Sequence, residues 1–146
     1  MIRIPTQGRY AVRAMIDIGL HQEQGPVLRQ EIARRQEISA NYVAQIFRQL
    51  TASELVVSVK GPGGGYSLAR NPDQICAGDI LRAVEGPFAL VHCVLEDDEK
   101  PCDRTEKCVT HRLWTRLSRN LEEYLDSVTL QDLIDEACEL DPVAPG

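Results

Sequence analysis

The stretch that decides the fold is Leu55-Val56-Val57-Ser58-Val59-Lys60-Gly61-Pro62-Gly63-Gly64-Gly65-Tyr66-Ser67-Leu68-Ala69-Arg70. Residues 55–60 and 66–70 read as two strands, and Gly61 to Gly65 between them read as a turn. The segment therefore predicts a β-hairpin with a glycine tip and flanking basic residues. A glycine tip can also cradle a nucleotide phosphate. Here no Lys-Ser/Thr pair follows and no helix opens after it, which argues against a P-loop.

Working upstream, Ser39 is a good N-cap for a helix over 40–52, with Val43, Ile46, Phe47 and Leu50 at helical spacing. Residues 27–36 predict a short helix with Leu28, Ile32 and Ala33 facing inward, and Glu37-Ile38 form a tight connection between the two. Earlier still, Thr6 is expected to cap a first helix that carries Tyr10, Ala11, Ala14, Met15 and Ile18 and is ended by Gly25-Pro26. Two short helices, the second amphipathic, followed by a basic-flanked hairpin, are in the order of a winged helix-turn-helix. Asn71-Pro72 closes the wing. A further helix through Ile80, Leu81 and Val84, ending at Gly86-Pro87, completes a DNA-binding domain over residues 1–86.

Downstream, residues 87–106 look like a loop with an acidic run at Glu96-Asp97-Asp98-Glu99. A long helix is expected from about Glu106 to Leu125, striped by Leu113, Trp114, Leu117, Leu121, Tyr124 and Leu125. Such a stripe suits a dimer interface, or else an intrachain core. Thr129 with Asp132 caps a last helix through Leu133, Ile134 and Ala137, and the tail from Asp141 should fray. The fold class is thus mostly α with a small β-hairpin wing: a winged helix-turn-helix domain plus a long C-terminal dimerisation helix. Within it, 87–111 reads as a ligand loop and 106–140 as dimerisation helices.

Charge separates the same two halves. The net charge of the 146 residues is −6, made of +4 over residues 1–70 and −10 over 71–146. A basic first half suits phosphate contacts, and an acidic second half is held away from DNA. No apolar run is long enough to span a membrane, and the N-terminus has no signal-peptide h-region, so a cytoplasmic protein is expected. No paired carboxylates, nucleophile elbow or cofactor cradle point to an enzyme.

On the third helix, Asn41, Tyr42, Gln45 and Arg48 lie on or near one exposed stripe. Asn and Gln pair with adenine and Arg with guanine in the major groove of double-stranded DNA. Tyr42 either packs on the first helix or meets a phosphate. Lys60 stands where a wing enters the minor groove or meets a phosphate. Arg9, Ser39, Gly63 and Gly64 complete the candidate DNA contacts.

Five cysteines are present, an odd number that argues for thiols or metal ligands over disulfides. Cys93, Cys102, Cys108 and His111 form a Cys-x8-Cys-x5-Cys-x2-His array. It could complete a tetrahedral zinc site or hold an iron–sulfur cluster. The loose spacing favours iron–sulfur, since zinc ribbons use Cys-x2–4-Cys pairs. Asp103 with Glu106 could cap the long helix, whose N-terminus then stabilises an anionic cluster. Cys76 and Cys138 read as core thiols, His92 as a reserve ligand and His21 as a helix-end partner.

Three segments now on the page, Gly8-Arg9-Tyr10-Ala11-Val12, Val59-Lys60-Gly61-Pro62-Gly63-Gly64-Gly65-Tyr66 and Lys107-Cys108-Val109-Thr110-His111-Arg112-Leu113-Trp114, resemble the IscR-like family of iron–sulfur cluster transcriptional regulators. The resemblance runs from Ile2 to about Ala137. It implies a homodimer paired through the long helices and bound to a pseudo-palindromic promoter site. It also implies a 2Fe-2S cluster, in preference to 4Fe-4S, on Cys93, Cys102, Cys108 and His111, with iron–sulfur assembly proteins as possible donors. Promoter binding would follow cluster status. The x8 spacing after Cys93 is longer than the x5 usual in that branch. Ala44 stands where the branch commonly has a glutamate, so target choice need not follow it. Some relatives take an acidic ligand from the first helix; Gln7-Gly8 occupies that neighbourhood here, which favours His111. The alternatives are a zinc-structured repressor and a thiol- or metabolite-sensing one without a cluster.

Overall fold

The computed structural model describes residues 1–97, 99–100 and 102–142, so Asp98 of the acidic run and tail residues 143–146 lie outside the described residues. Helix α1 (Thr6–His21) is followed by α2 (Arg29–Gln36), α3 (Ala40–Ala52), strands β1 (Val56–Val59) and β2 (Gly65–Leu68), α4 (Ala77–Glu85), α5 (Val109–Ser127) and α6 (Leu130–Leu140). The strands pair antiparallel with Val56 opposite Leu68 and Val59 opposite Gly65.

The helix-turn-helix is α2 and α3. Glu37 ends α2 in a left-handed conformation, φ 56°, and the Tyr42 N–H donates to the Ser39 hydroxyl at 3.1 Å, which is the expected N-cap. Val43, Ile46, Phe47 and Leu50 are fully buried, as their spacing predicts. The wing is fastened to that core by Phe47 stacked on Tyr66, ring centroids 4.3 Å apart, and by a backbone bridge in which Val27 and Tyr66 exchange N–H···O bonds of 2.8 Å. The short strands alone would be marginal, so this anchoring matters.

A buried acid locks α2 to α1. Asp17, 2% exposed, accepts from Arg35 Nε and Nη2 at 2.9 and 2.7 Å and from Gln36 Nε2 at 2.9 Å. Helix α4 packs against α1, α3 and α5. Helix α6 opens with the expected Thr129–Asp132 capping box and returns to α1, placing Leu130 and Ile134 in the same core as Met15 and Ile18.

Several local expectations are corrected. Pro5, not Thr6, is the N-cap of α1, because proline's fixed φ suits entry to the first turn and no side chain bonds there. That helix ends at His21, and a 3-10 turn over Gln22–Gln24 precedes Gly25. Leu28 points outward: it is the extended N-cap of α2, so its side chain lies off the buried stripe of Ile32 and Ala33. Helix α5 begins at Val109, and Cys108 is its N-cap without a side-chain capping bond. Asp103 and Glu106 therefore do not cap it; a separate 3-10 turn over Thr105–Lys107 comes first. Cys76 is not a core thiol but the N-cap of α4, its sulfur accepting from the Asp79 N–H at 3.3 Å.

Candidate nucleic-acid interface and metal-ligating loop

The candidate DNA-reading surface starts from the burial pattern of α3. With its apolar face fully buried, Asn41, Gln45 and Arg48 are left exposed on the other side. Ser39 spends its hydroxyl on the cap. Tyr42 is half-buried and packs edge-on against Tyr10 of α1, centroids 5.9 Å apart, which is the packing contact its position allowed. Arg9 is exposed and donates to the Thr6 hydroxyl at 3.0 Å. One turn on, Arg13 lies over the Tyr10 ring at 4.9 Å and donates to the Gln36 side chain and carbonyl, both at 3.0 Å. Sequence reading missed Arg13, although its i+4 spacing from Arg9 on the polar face of α1 is a usable signal.

In the wing, Lys60 is exposed where β1 ends, and Gly63 is exposed with φ +73°. Gly64 is buried. Its N–H donates to the Gly61 carbonyl at 2.9 Å, and a Cβ there would collide with the Val59 carbonyl. Gly64 thus shapes the wing's tip, while Gly63 and Lys60 present it.

The four candidate ligands divide into a pair and two single residues. Cys93, in a 3-10 turn over His92–Val94, has its Sγ 3.4 Å from Nδ1 of His111 in the first turn of α5. Cys102 is exposed, and its carbonyl accepts from the Thr105 N–H and hydroxyl at 3.1 and 2.6 Å. Cys108 stands at the α5 N-terminus with its Sγ 3.1 Å from the Thr110 hydroxyl. That hydroxyl holds the Cys108 thiol below the usual cysteine range, aided by the His111 and Thr110 N–H groups and the Arg104 charge. Among the described residues, no three Cys, His, Asp or Glu side chains gather closely enough to hold one metal ion. His92 is exposed, and His21 bonds the Asp17 carbonyl at 2.8 Å, as a helix-end partner should.

Sequence reading also missed Ser118, which is 4% exposed and accepts from the Leu90 N–H at 3.2 Å, pinning the start of the ligand loop to α5. It sits two turns after His111, so both ties lie along one face of the helix. The expected apolar stripe on α5 is in large part uncovered: Leu113 is 51% and Tyr124 67% exposed, and Trp114, Leu121 and Leu125 line an open groove with Ile2 and Ile4. No helix among the described residues is long and apolar enough to cross a membrane.

The donor set fits an iron–sulfur or zinc group in part. A thiolate and an imidazole on one tetrahedral metal span an edge of about 3.6 Å, for bonds of about 2.3 and 2.0–2.1 Å. The Cys93–His111 separation is close to that edge. Cys108 lies in surroundings that favour the thiolate, which is the ligating form.

Comparison with known proteins identifies the family. A family model, Rrf2, described as an iron-dependent transcriptional regulator, matches residues 4–136. The chain is 42% identical over 142 residues to the HTH-type transcriptional regulator IscR of Sodalis glossinidius, covering 97% of this chain and 84% of that one. Among solved structures, IscR of T. potens is 38% identical with a TM-score of 0.76, covering 96% of this chain and 91% of the other. CymR, the global cysteine regulator of B. subtilis, is also 38% identical, with a TM-score of 0.73 and coverage of 93% and 98%. The exposed recognition helix, the glycine wing and these relatives together place the chain in the Rrf2 family of winged-helix, DNA-binding transcriptional regulators, which are not enzymes.

Proposed function

We propose that this regulator works in the cytoplasm as a homodimer whose promoter binding follows an iron–sulfur cluster held by Cys93, Cys102, Cys108 and His111. The observation that carries the reading is the Cys93–His111 pair, drawn together across 18 residues of sequence at a ligand-like separation. The IscR names of its relatives support the same assignment. A 2Fe-2S cluster suits three thiolates and one imidazole; when bound it supplies a one-electron redox centre.

The chain's own residues supply the remainder. Asn41, Gln45 and Arg48 read base edges in the major groove, Arg9 and Arg13 meet the backbone, and Lys60 with Gly63 carries the wing to the neighbouring groove. Two copies paired through the uncovered face of α5 would read a pseudo-palindromic site. Iron–sulfur assembly proteins are the natural cluster donors for such a site.

Anaerobic purification tests the assignment. The native chain should be coloured and should lose its visible absorption in a Cys102→Ala variant; an unchanged spectrum in that variant would sink the ligand set. A second reading, thiol sensing without a cluster, is favoured by the separation of Cys102 and Cys108 from the Cys93–His111 pair. It predicts a colourless protein whose DNA binding survives loss of Cys93.

A further inference from the structure

Below the ligand pair on α5 lies a second polar contact that neither the DNA surface nor the ligand set uses. Arg82 of α4 reaches across to α5 and divides its guanidinium among three carboxylates. Nη2 donates to Asp126 at 2.6 Å and to Asp79 at 3.2 Å, and Nη1 donates to Glu122 at 3.0 Å. The same guanidinium lies over the Phe88 ring at 5.5 Å, at the start of the ligand loop. Asp126 can approach because position 78 is glycine: a Cβ there would collide with the Asp126 carboxylate.

Position along α5 gives this fork its meaning. His111, Ser118, Glu122 and Asp126 follow at spacings of seven, four and four, so they share one face of the helix. The face holds Cys93 at its top through His111, Leu90 in its middle through Ser118, and α4 at its base through Arg82. Helix α4 in turn packs on α1 and α3, the helices that carry the candidate DNA contacts. Apart from the winged-helix core, then, the ligand loop and the DNA-reading unit are both registered on one polar seam.

We propose that Arg82 is a positioning residue for DNA binding: its three-carboxylate fork fixes the winged helix against α5 and so transmits the state of the 87–111 loop to the recognition helix. This rests on the cluster reading above, since the loop state is the ligation state of Cys93 and His111. A planar guanidinium can hold three carboxylates on two helices in one orientation, which a lysine ammonium cannot do. Coupling of this kind appears as a ratio of affinities and not as a loss of binding.

The test uses full-length protein and a duplex carrying its promoter site, with binding measured for the cluster-loaded and cluster-free forms of the native chain, Arg82→Gln and Arg82→Lys. The optical spectrum and the thermal midpoint report that cluster and fold are intact. Amide hydrogen exchange of residues 79–91 in the cluster-free chain gives a readout independent of the cluster. Arg82→Gln should retain the spectrum, raise exchange in that segment, and reduce the loaded-to-free affinity ratio by about fivefold or more; Arg82→Lys should fall between. If Arg82→Gln does not fold, Glu122→Gln, which weakens only the Glu122 contact and leaves both Asp126 contacts in place, should show a smaller reduction in the same ratio. An unchanged ratio in a folded, cluster-bearing variant overturns the proposal alone. A native chain that takes up no cluster overturns the functional reading and this inference with it.

Discussion

The two halves of the molecule are held together by different means. In the winged helix, residues from α1, α2, α3, β1 and α4, joined by Leu130 and Ile134 of α6, close on one core in which Phe47, Met15, Ile18, Ile32, Ile46 and Leu50 are wholly buried. In the ligand loop and α5, Ser118 is the only buried residue of the helix among the described residues, and two of the four candidate ligands stand apart from the other two. Burial of apolar surface can set the DNA-reading geometry without help. The ligand loop has little such surface, so a bound group's coordination energy would go into ordering it. This difference suits the proposed sensor: the reading surface would keep its internal shape while occupancy changed the neighbouring segment and, through it, how that surface is set against α5.

The sharpest test sets one substitution in each half side by side. Phe47→Ala removes a fully buried ring that also anchors the wing through Tyr66, and should destabilise the chain by about 3–5 kcal/mol. Cys102→Ala, on an exposed loop, should leave the unfolding free energy of the cluster-free chain within about 0.5 kcal/mol of native. Equal losses in urea titrations would show that the halves are one cooperative unit and would break the contrast. Next in size is Asp17→Asn, which replaces the buried carboxylate that Arg35 grips with two hydrogen bonds. It should cost about 2 kcal/mol by the same titration and loosen α2 from α1, because charge-assisted bonds are the stronger kind.

On the DNA surface, Lys60→Ala should weaken binding to all sequences and lower the salt dependence of the binding constant by about one phosphate contact per wing. Gln45→Ala should instead cost about 1–3 kcal/mol at one base position and leave the salt slope alone. Fluorescence anisotropy titrations at several salt concentrations separate the two, and identical slopes for both variants would remove the division between wing and recognition helix.

What the sequence disclosed follows the same division. Periodicity and capping are local signals, so Ser39, the Val43–Leu50 stripe, the hairpin and the Thr129 box were readable before any coordinates. Asp17 was not, because its meaning depends on Arg35 and Gln36 of a different helix; an acid beside Met15 and Ile18 on a buried stripe was the available hint. Spacing and resemblance nominated the candidate ligands, but did not show that Cys93 lies against His111 while Cys102 does not, since loop geometry carries no period. Ser118 and Arg82 were hidden for a related reason. On a helix striped with leucine, a serine reads as polar filler until its backbone partner is known.

The smallest expected effect lies at the joint between the halves. Cys76 caps α4 and also faces the Asp126 carboxylate, 3.4 Å from its sulfur. Burial first, and then the Asp79 and Asp126 carboxylates, push its thiol up to about 11. A thiol whose folded value is raised is favoured in its neutral form by folding. Its contribution is therefore complete below the value of the unfolded chain and declines as pH rises toward the folded one. Stability should thus fall between about pH 9 and pH 11 by more than the other alkaline groups cause. Cys76→Ser keeps a cap oxygen for the Asp79 N–H but has nothing to ionise in that window. The difference in denaturant midpoint between native chain and variant should be flat up to pH 8 and shift in the variant's favour from pH 9 upward. A difference that stays constant across the range would mean that Cys76 is a cap and nothing more, and that the joint between α4 and α5 is held by Arg82 without it.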